Sequence, residues 1–252
     1  MKKMPVSTVS INRCGLFLGN IENSNAWGTV ECDTKLNPFH QDLIEATIDI
    51  NKGQIARDGG GELWFKASYY ELDKLLTLNK HYYLIDEGFK DMQKALISMT
   101  KIIKHENKEF TLLDRTAIIT HFRKLKENHI TNISDKKSIA GIKFSKMFSS
   151  LYLDNIDLKL YYNGGLLTKI LKMKNLHAKS LVRFLLTHSS NQNISKDKIL
   201  EILGAESPMQ KHRIWKYLSS SNEFEQFGIS INENSICYVK NKDVIISNKL
   251  LD

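Results

Sequence analysis

Residues 198–218, KILEILGAESPMQKHRIWKYL, decide how the rest of the chain is read. Ile199, Ile202 and Leu203 recur at the spacing of one buried helical face, and Gly204 stands where a helix end favours a left-handed residue. Ser207-Pro208-Met209-Gln210 then opens a second helix, with Ser207 as N-cap, Pro208 at the first helical position and Gln210 as the capping-box partner. Ile214 and Leu218 turn inward, and Trp215 is expected at the helix–core boundary with its N–H near solvent. Gln210, Lys211, Arg213 and Lys216 are left as the polar members. Two short helices joined through 204–207 read as a helix-turn-helix, with 208–219 as its second helix.

The flanks supply the rest of one domain. Upstream, Ala178, Leu181, Val182, Leu185 and Leu186 give residues 175–188 a continuous apolar face, and Ser195 caps the helix that leads into Gly204. Downstream, strand-like runs at 228–231 and 235–239 flank Asn232-Glu233-Asn234, an asparagine-rich hairpin turn.

The same order stands earlier in the chain. Asn37-Pro38 opens a helix with Leu43, Ile44, Thr47 and Ile48 on one side, and 62–66 reads as a strand. Ser68 and Glu71 form a capping box before Leu72, Leu75 and Leu76. Asp86 is expected to cap a further helix that carries Phe89, Met92, Leu96 and Met99 inward and Lys90 and Lys94 outward. Period-two runs at 101–105 and 109–113 predict the hairpin of this first unit. Further strands follow at 115–123 and 138–145, then a short helix around Met147, Phe148 and Leu151. The pattern predicts an α+β fold of two tandem winged-helix domains, residues 1–155 and 156–252. Residues 1–12 and 241–252 read as tails.

Charge points to a polyanionic partner. There are 36 Lys+Arg against 28 Asp+Glu, a formal net charge of +8. Each phosphate that such a surface neutralises releases condensed counterions. In the second unit, Ser207, Gln210, Lys211, Arg213 and Lys216, with Asn232 and Asn234 on the hairpin turn, are the candidate DNA contacts. Gln and Arg make bidentate contacts to adenine and guanine edges, whereas Lys suits guanine or phosphate. In the first unit the candidates are Lys90, Lys94, Lys101 and Lys104. Asp86, Glu87 and Asp91 dilute the positive face there, so backbone contact or dimerisation is expected rather than base reading.

Other chemistries find no support in the sequence. The three cysteines, Cys14, Cys32 and Cys237, lack metal-ligand spacing and fit a reducing compartment. There is no P-loop and no G-x-S-x-G. The doublets Tyr69-Tyr70, Tyr82-Tyr83 and Tyr161-Tyr162 have no H-x-H beside them to complete a metal-assisted nicking site, and each reads as one core and one boundary residue. No catalytic residue, cofactor or metal is expected. No run reaches the roughly 18 apolar residues of a membrane span, and the expected location is the cytoplasm.

Four stretches carry a family resemblance: INRCGLFLGN at 11–20, FKASYYELDKLL at 65–76, LKMKNLHAKSLVRFLLTHSSN at 171–191, and the opening stretch at 198–218. Their order over nearly the whole chain resembles the plasmid replication initiators with tandem winged-helix domains, the TrfA/RepE-like class. Met209, His212 and Ile214 depart from that family's more heavily basic second recognition helix. The resemblance implies binding to directly repeated double-stranded origin sites (iterons), melting of adjacent AT-rich DNA, and recruitment of a host initiator and replicative helicase. It further implies a monomer–homodimer equilibrium in which dimers repress their own promoter. Lys211, Arg213 and Lys216 would enter a major groove. A tandem winged-helix transcriptional regulator is the alternative, and a helicase-loading interaction protein is a third reading.

Overall fold

The computed structural model describes residues 4–19, 22–25, 28–51, 56–57, 59–105, 108–126, 137–154 and 157–251. The chain enters through β1 (Ser7–Thr8) and α1 (Val9–Arg13), then a hairpin of β2 (Glu22–Asn25) and β3 (Gly28–Cys32). Next come α2 (Pro38–Ile50), the short β4 (Ala56–Arg57), β5 (Leu63–Ser68), α3 (Tyr69–Leu76) and α4 (Tyr83–Lys94). Strands β6 (Leu96–His105), β7 (Lys108–Ala117), β8 (Ile119–Leu125) and β9 (Ile139–Phe144) follow, closed by α5 (Lys146–Leu153). The second half runs β10 (Lys159–Tyr162), α6 (Leu166–Lys172), α7 (Leu176–Leu185), β11 (Gln192–Ser195), α8 (Lys196–Ile202) and α9 (Pro208–Ser220). A 3-10 turn at Asn222–Phe227 leads into β12 (Ile229–Ile231), β13 (Ser235–Tyr238) and β14 (Val244–Ser247).

Two stretches share one topology. In the first, α2–β5–α3–α4–β8–β9 builds a sheet in the order β4-β5-β9-β8. In the second, α7–β11–α8–α9–β12–β13 builds a sheet in the order β11-β13-β12. Each time the strand before the short helix pairs antiparallel with the last strand of the unit, as in Ala67↔Ala140 and Ile194↔Ile236. The first copy differs by the long β6–β7 hairpin inserted after α4. That hairpin belongs to a separate sheet, β2-β3-β6-β7.

This insertion corrects the expected hairpin of the first unit. The runs at 101–105 and 109–113 are strands of one hairpin, as their period implied, yet the hairpin equivalent to β12–β13 is β8–β9. Strand alternation reports a half-buried pleat but not the partner it finds. Asp86 is not a cap either. The helix begins earlier, at Tyr83 with Tyr82 in the cap position, and Asp86 lies in the first turn. Ser68 stands at the N-cap of α3, but its side chain makes no capping bond. At α2 the reading holds: Asn37 accepts from the Phe39 N–H at 2.9 Å, and its own N–H donates to His40 Nδ1 at 3.0 Å.

Within the described residues, 4–12 and 241–251 of the expected tails are also structured. Ser7↔Leu160 and Ile246↔Leu160 place β1 and β14 on either side of β10. The buried Lys159 ammonium donates to the carbonyls of Asp154, Asp157 and Asn248, and the Tyr161 hydroxyl donates to the Lys249 carbonyl at 2.9 Å. An apolar β-branched stretch such as 244–247 is too short to announce a strand by period. It becomes one because a buried neighbour offers an unpaired edge.

One hydrophobic core runs through both halves, and α2 and α7 meet at its centre. Their contact carries a buried ionic seam. Arg183 Nη2 donates to Asp42 Oδ1 at 2.6 Å and to Glu45 Oε2 at 2.7 Å. Lys179 Nζ donates to Asp42 and to the Leu171 carbonyl, and Gln41 Nε2 links Glu45 to Asn12 of α1. Burial pushes the Glu45 carboxyl up against the pull of Arg183. Burial alone would lower Arg183, but Glu45 and Asp42 together hold it above its ordinary value. Two cations facing two anions leave the seam without formal charge, the condition under which buried ions are tolerated.

Candidate nucleic-acid interface

The surface of interest is built from α8, α9 and the β12–β13 hairpin. Gly204 adopts φ +68 after α8, and the Ala205 N–H donates back to the Leu200 carbonyl at 2.9 Å, turning the chain sharply into α9. Ser207 Oγ accepts from the Gln210 N–H at 3.2 Å, as the sequence implies. Gln210 Oε1 accepts from the Glu206 N–H at 3.2 Å, one residue before the expected capping-box partner. This bond holds the Gln210 side chain back along the helix start. Ile214, Trp215 and Leu218 are buried and anchor the helix, with Lys196 Nζ 5.2 Å from the Trp215 ring centroid.

The charged residues that α9 leaves outside are all basic. Lys211, His212, Arg213 and Lys216 are exposed, and residues 208–220 contain no Asp or Glu. The hairpin turn stands beside this helix-turn-helix: the Asn232 N–H donates to the Ser235 carbonyl, and the Lys196 N–H at the start of α8 donates to the Asn234 carbonyl, both at 2.9 Å. Asn232 and Asn234 are exposed. Gly228, at φ +75, feeds β12 so closely past Val239 that a Cβ there would lie 2.7 Å from the Val239 carbonyl oxygen.

In the first unit the corresponding helix is α4, buried through Ile85, Gly88, Phe89 and Met92. Gly88 lets α2 approach to where a Cβ would meet Leu43 Cδ1 at 2.3 Å. Lys90 and Lys94 are exposed, with the exposed Glu87 between turns. Asp86 accepts from the Tyr69 hydroxyl and from Lys124 Nζ at 2.7 Å, and Asp91 lies 3.5 Å from His40 Nε2. Lys101 and Lys104 lie on β6, away from this face in sequence order; their side chains fall outside the described residues. Because β8–β9 is the hairpin that follows α4 in the shared topology, Arg123, Lys126 and Lys137, all exposed, are the basic residues that the sequence reading missed. The signal was available in the strands expected at 115–123 and 138–145.

The α3–α4 turn has left-handed residues at Thr77, Asn79 and Lys80, and Asp73 Oδ1 accepts from the Lys80 N–H at 2.8 Å. A β-branched residue at φ +56 is an unusual conformation that the surrounding bonds hold in place.

Solved structures that share this fold include the following two. Both are of RctB. One is a selenomethionine structure of its domains 2 and 3, at TM-score 0.52 and 11% identity, covering 87% of this chain and 89% of that one. The other, RctB residues 155–483, aligns at TM-score 0.51 and 9% identity over 92% of this chain and 97% of that one. No protein-family model matches the sequence, and no curated protein matches it. Among the described residues, no helix is long and apolar enough to cross a membrane.

Proposed function

We propose that this protein is a DNA-binding replication initiator built from two tandem winged-helix domains, residues 1–155 and 156–252. The observation that carries the reading is α9. It is a helix pinned by Ile214, Trp215 and Leu218 that turns Arg213 and Lys216 outward with no acid among its residues, next to a polar hairpin. Such a helix presents its N-terminal half to base edges in a major groove while the preceding helix braces the backbone. RctB, whose domains 2 and 3 have a similar fold, is a replication initiator with winged-helix domains.

In this proposal Arg213 and Lys216 enter the groove, Lys211 contacts DNA from the helix start off their row, Ser207 and Gln210 set the helix start, and Asn232 and Asn234 reach the backbone from the hairpin. The first domain contacts phosphates through Lys90 and Lys94 and dimerises. The site is a set of repeated double-stranded sequences at a plasmid origin. Bound copies promote melting and recruit a host initiator and replicative helicase in the cytoplasm, and dimers repress the protein's own promoter. No catalytic step, cofactor or metal enters the proposal.

The test is selection and sequencing of random duplexes bound at fixed physiological salt, for wild type and for Lys211→Ala/Arg213→Ala. One long asymmetric motif, lost in the variant and found in tandem at an origin, supports the reading. A two-fold symmetric motif points instead to a dimeric regulator. Absence of any enriched motif overturns sequence-specific recognition.

A further inference from the structure

The outward stripe of α9 is not wholly basic. Met209 is 72% exposed, the most exposed large apolar side chain among the described residues. At 3.6 residues per turn, Met209, Arg213, Lys216 and Ser220 form one row directly opposite the buried Ile214, Trp215 and Leu218. Lys211 and Gln210 stand off that row. The first position of the row, nearest the helix N-terminus, is therefore apolar, and the next two are cationic.

An isolated exposed apolar residue is ordinary. Here the position recurs. Aligning the buried residues Gly88, Phe89 and Met92 of α4 in register with Ile214, Trp215 and Leu218 of α9 sets Tyr83 against Met209, and Tyr83 is 54% exposed. Two helices of unrelated sequence and opposite charge balance both leave a large apolar side chain in water at their first outward position. The His81 ring packs edge-on against Tyr83, yet more than half of Tyr83 stays exposed.

We propose that Met209 determines specificity by packing its thioether chain against the C5-methyl group of a thymine in the major groove. The inference rests on α9 being the helix that reads DNA. The thymine methyl is the one apolar feature the major groove displays, and apolar side chains recognise it by contact. A flexible unbranched thioether suits it, because it adapts to the methyl without a fixed hydrogen-bond geometry. Arg213 lies four residues further, about 6 Å along the helix at 1.5 Å per residue. At 3.4 Å per base step, a guanine read by Arg213 lies within about two base pairs of that thymine.

The test uses the full chain and its selected duplex, with each thymine replaced in turn by uracil, which removes only the methyl. At one position wild type is expected to bind about fourfold more weakly, the worth of one buried methyl-sized group. Met209→Ala is expected to bind thymine and uracil duplexes alike, and Met209→Leu to keep the discrimination. Replacing a guanine within two base pairs by 7-deazaguanine should weaken wild type but not Arg213→Ala. A selected site that contains no thymine, or one that wild type binds equally well with uracil at every position, overturns the role of Met209 while leaving DNA reading by α9 intact. Failure to select any duplex overturns both. Because Met209 is exposed, an unchanged thermal midpoint shows that its variants are folded.

Discussion

The two repeats of this molecule have one topology and different surfaces, and α4 and α9 make the difference concrete. Aligned on their buried residues, they set Glu87 against Arg213 and Lys90 against Lys216. The first helix buries three side chains and Gly88, and it spends two of its three acids on neighbours: Asp86 on Tyr69 and Lys124, Asp91 on His40. The second buries three and keeps no acid at all. A shared framework thus fixes where a helix sits, while a handful of outward positions decides whether it attracts a polyanion. The β6–β7 insertion deepens the contrast, since only the first repeat carries it.

The joint between the repeats offers the largest effect. Arg183→Ala strands Glu45 in the core and leaves Asp42 to Lys179 alone, and the expected loss is about 3–5 kcal/mol of stability, read from the urea midpoint. Replacing the whole seam by apolar residues of similar volume should recover most of that loss. If Arg183→Ala unfolds one half alone, in two separate transitions, the repeats are independent units and the seam is ornamental.

The next effect separates the two helices directly. Lys211→Ala/Arg213→Ala should cost about 1–3 kcal/mol of discrimination against wrong bases for each bidentate pair lost. Lys90→Ala/Lys94→Ala should leave the selected sequence unchanged and only flatten the salt dependence, by about one unit of slope per phosphate contact. Equal loss of sequence preference from both pairs would erase the distinction between them. Glu87→Arg sharpens it from the other side. It gives α4 the charge that α9 has at that position, and should steepen the salt slope by about one unit without altering the preferred site.

The smallest effect is a pH dependence that belongs to the second repeat. Burial holds His177 and His188 of the α7 segment below the ordinary histidine value, and Arg13 depresses His188 further. The unfolded chain takes up these protons near its usual pKa of about 6.5, before the folded chain does. Stability is therefore complete above that pH and declines as pH falls below it. The urea midpoint should drop between pH 7.5 and 5.5, and His188→Asn should lessen the drop.

Much of the second repeat was legible in the sequence, because several of its boundaries are marked by local chemistry: Ser207 as a cap, Gly204 as a stop, Ile214 and Leu218 on a clean face; Ser195, read as a cap, holds the N-cap position of α8 without a side-chain bond. The first was legible as elements but not as an arrangement. Nothing local tells a reader that the 101–113 hairpin extends a sheet whose next strand, β3, pairs with 97–100, rather than serving as the hairpin of its own unit, for the pleat looks the same with either partner. The edge strand at 244–247 and the ion pairs of α2 with α7 depend on residues more than 80 positions away, as in Lys179–Asp42 and Tyr161–Lys249. Met209 failed to register for a different reason. On a list of polar candidates an apolar residue is an interruption, and only its exposure in the fold makes it a candidate.

The charged seam between α2 and α7 also acts as a gauge. Apolar surfaces can slide past one another at little cost, but Arg183 has to release Asp42 and Glu45 before either helix shifts. The separation between α4 and α9 is in that sense a set length. Duplex DNA engaged by both would have to match it, since one extra base pair between the two contacts turns the far one by about 34–36° around the helix axis. On the proposed function, a protein jointed this way would be constrained by the spacing of its target as well as by its sequence.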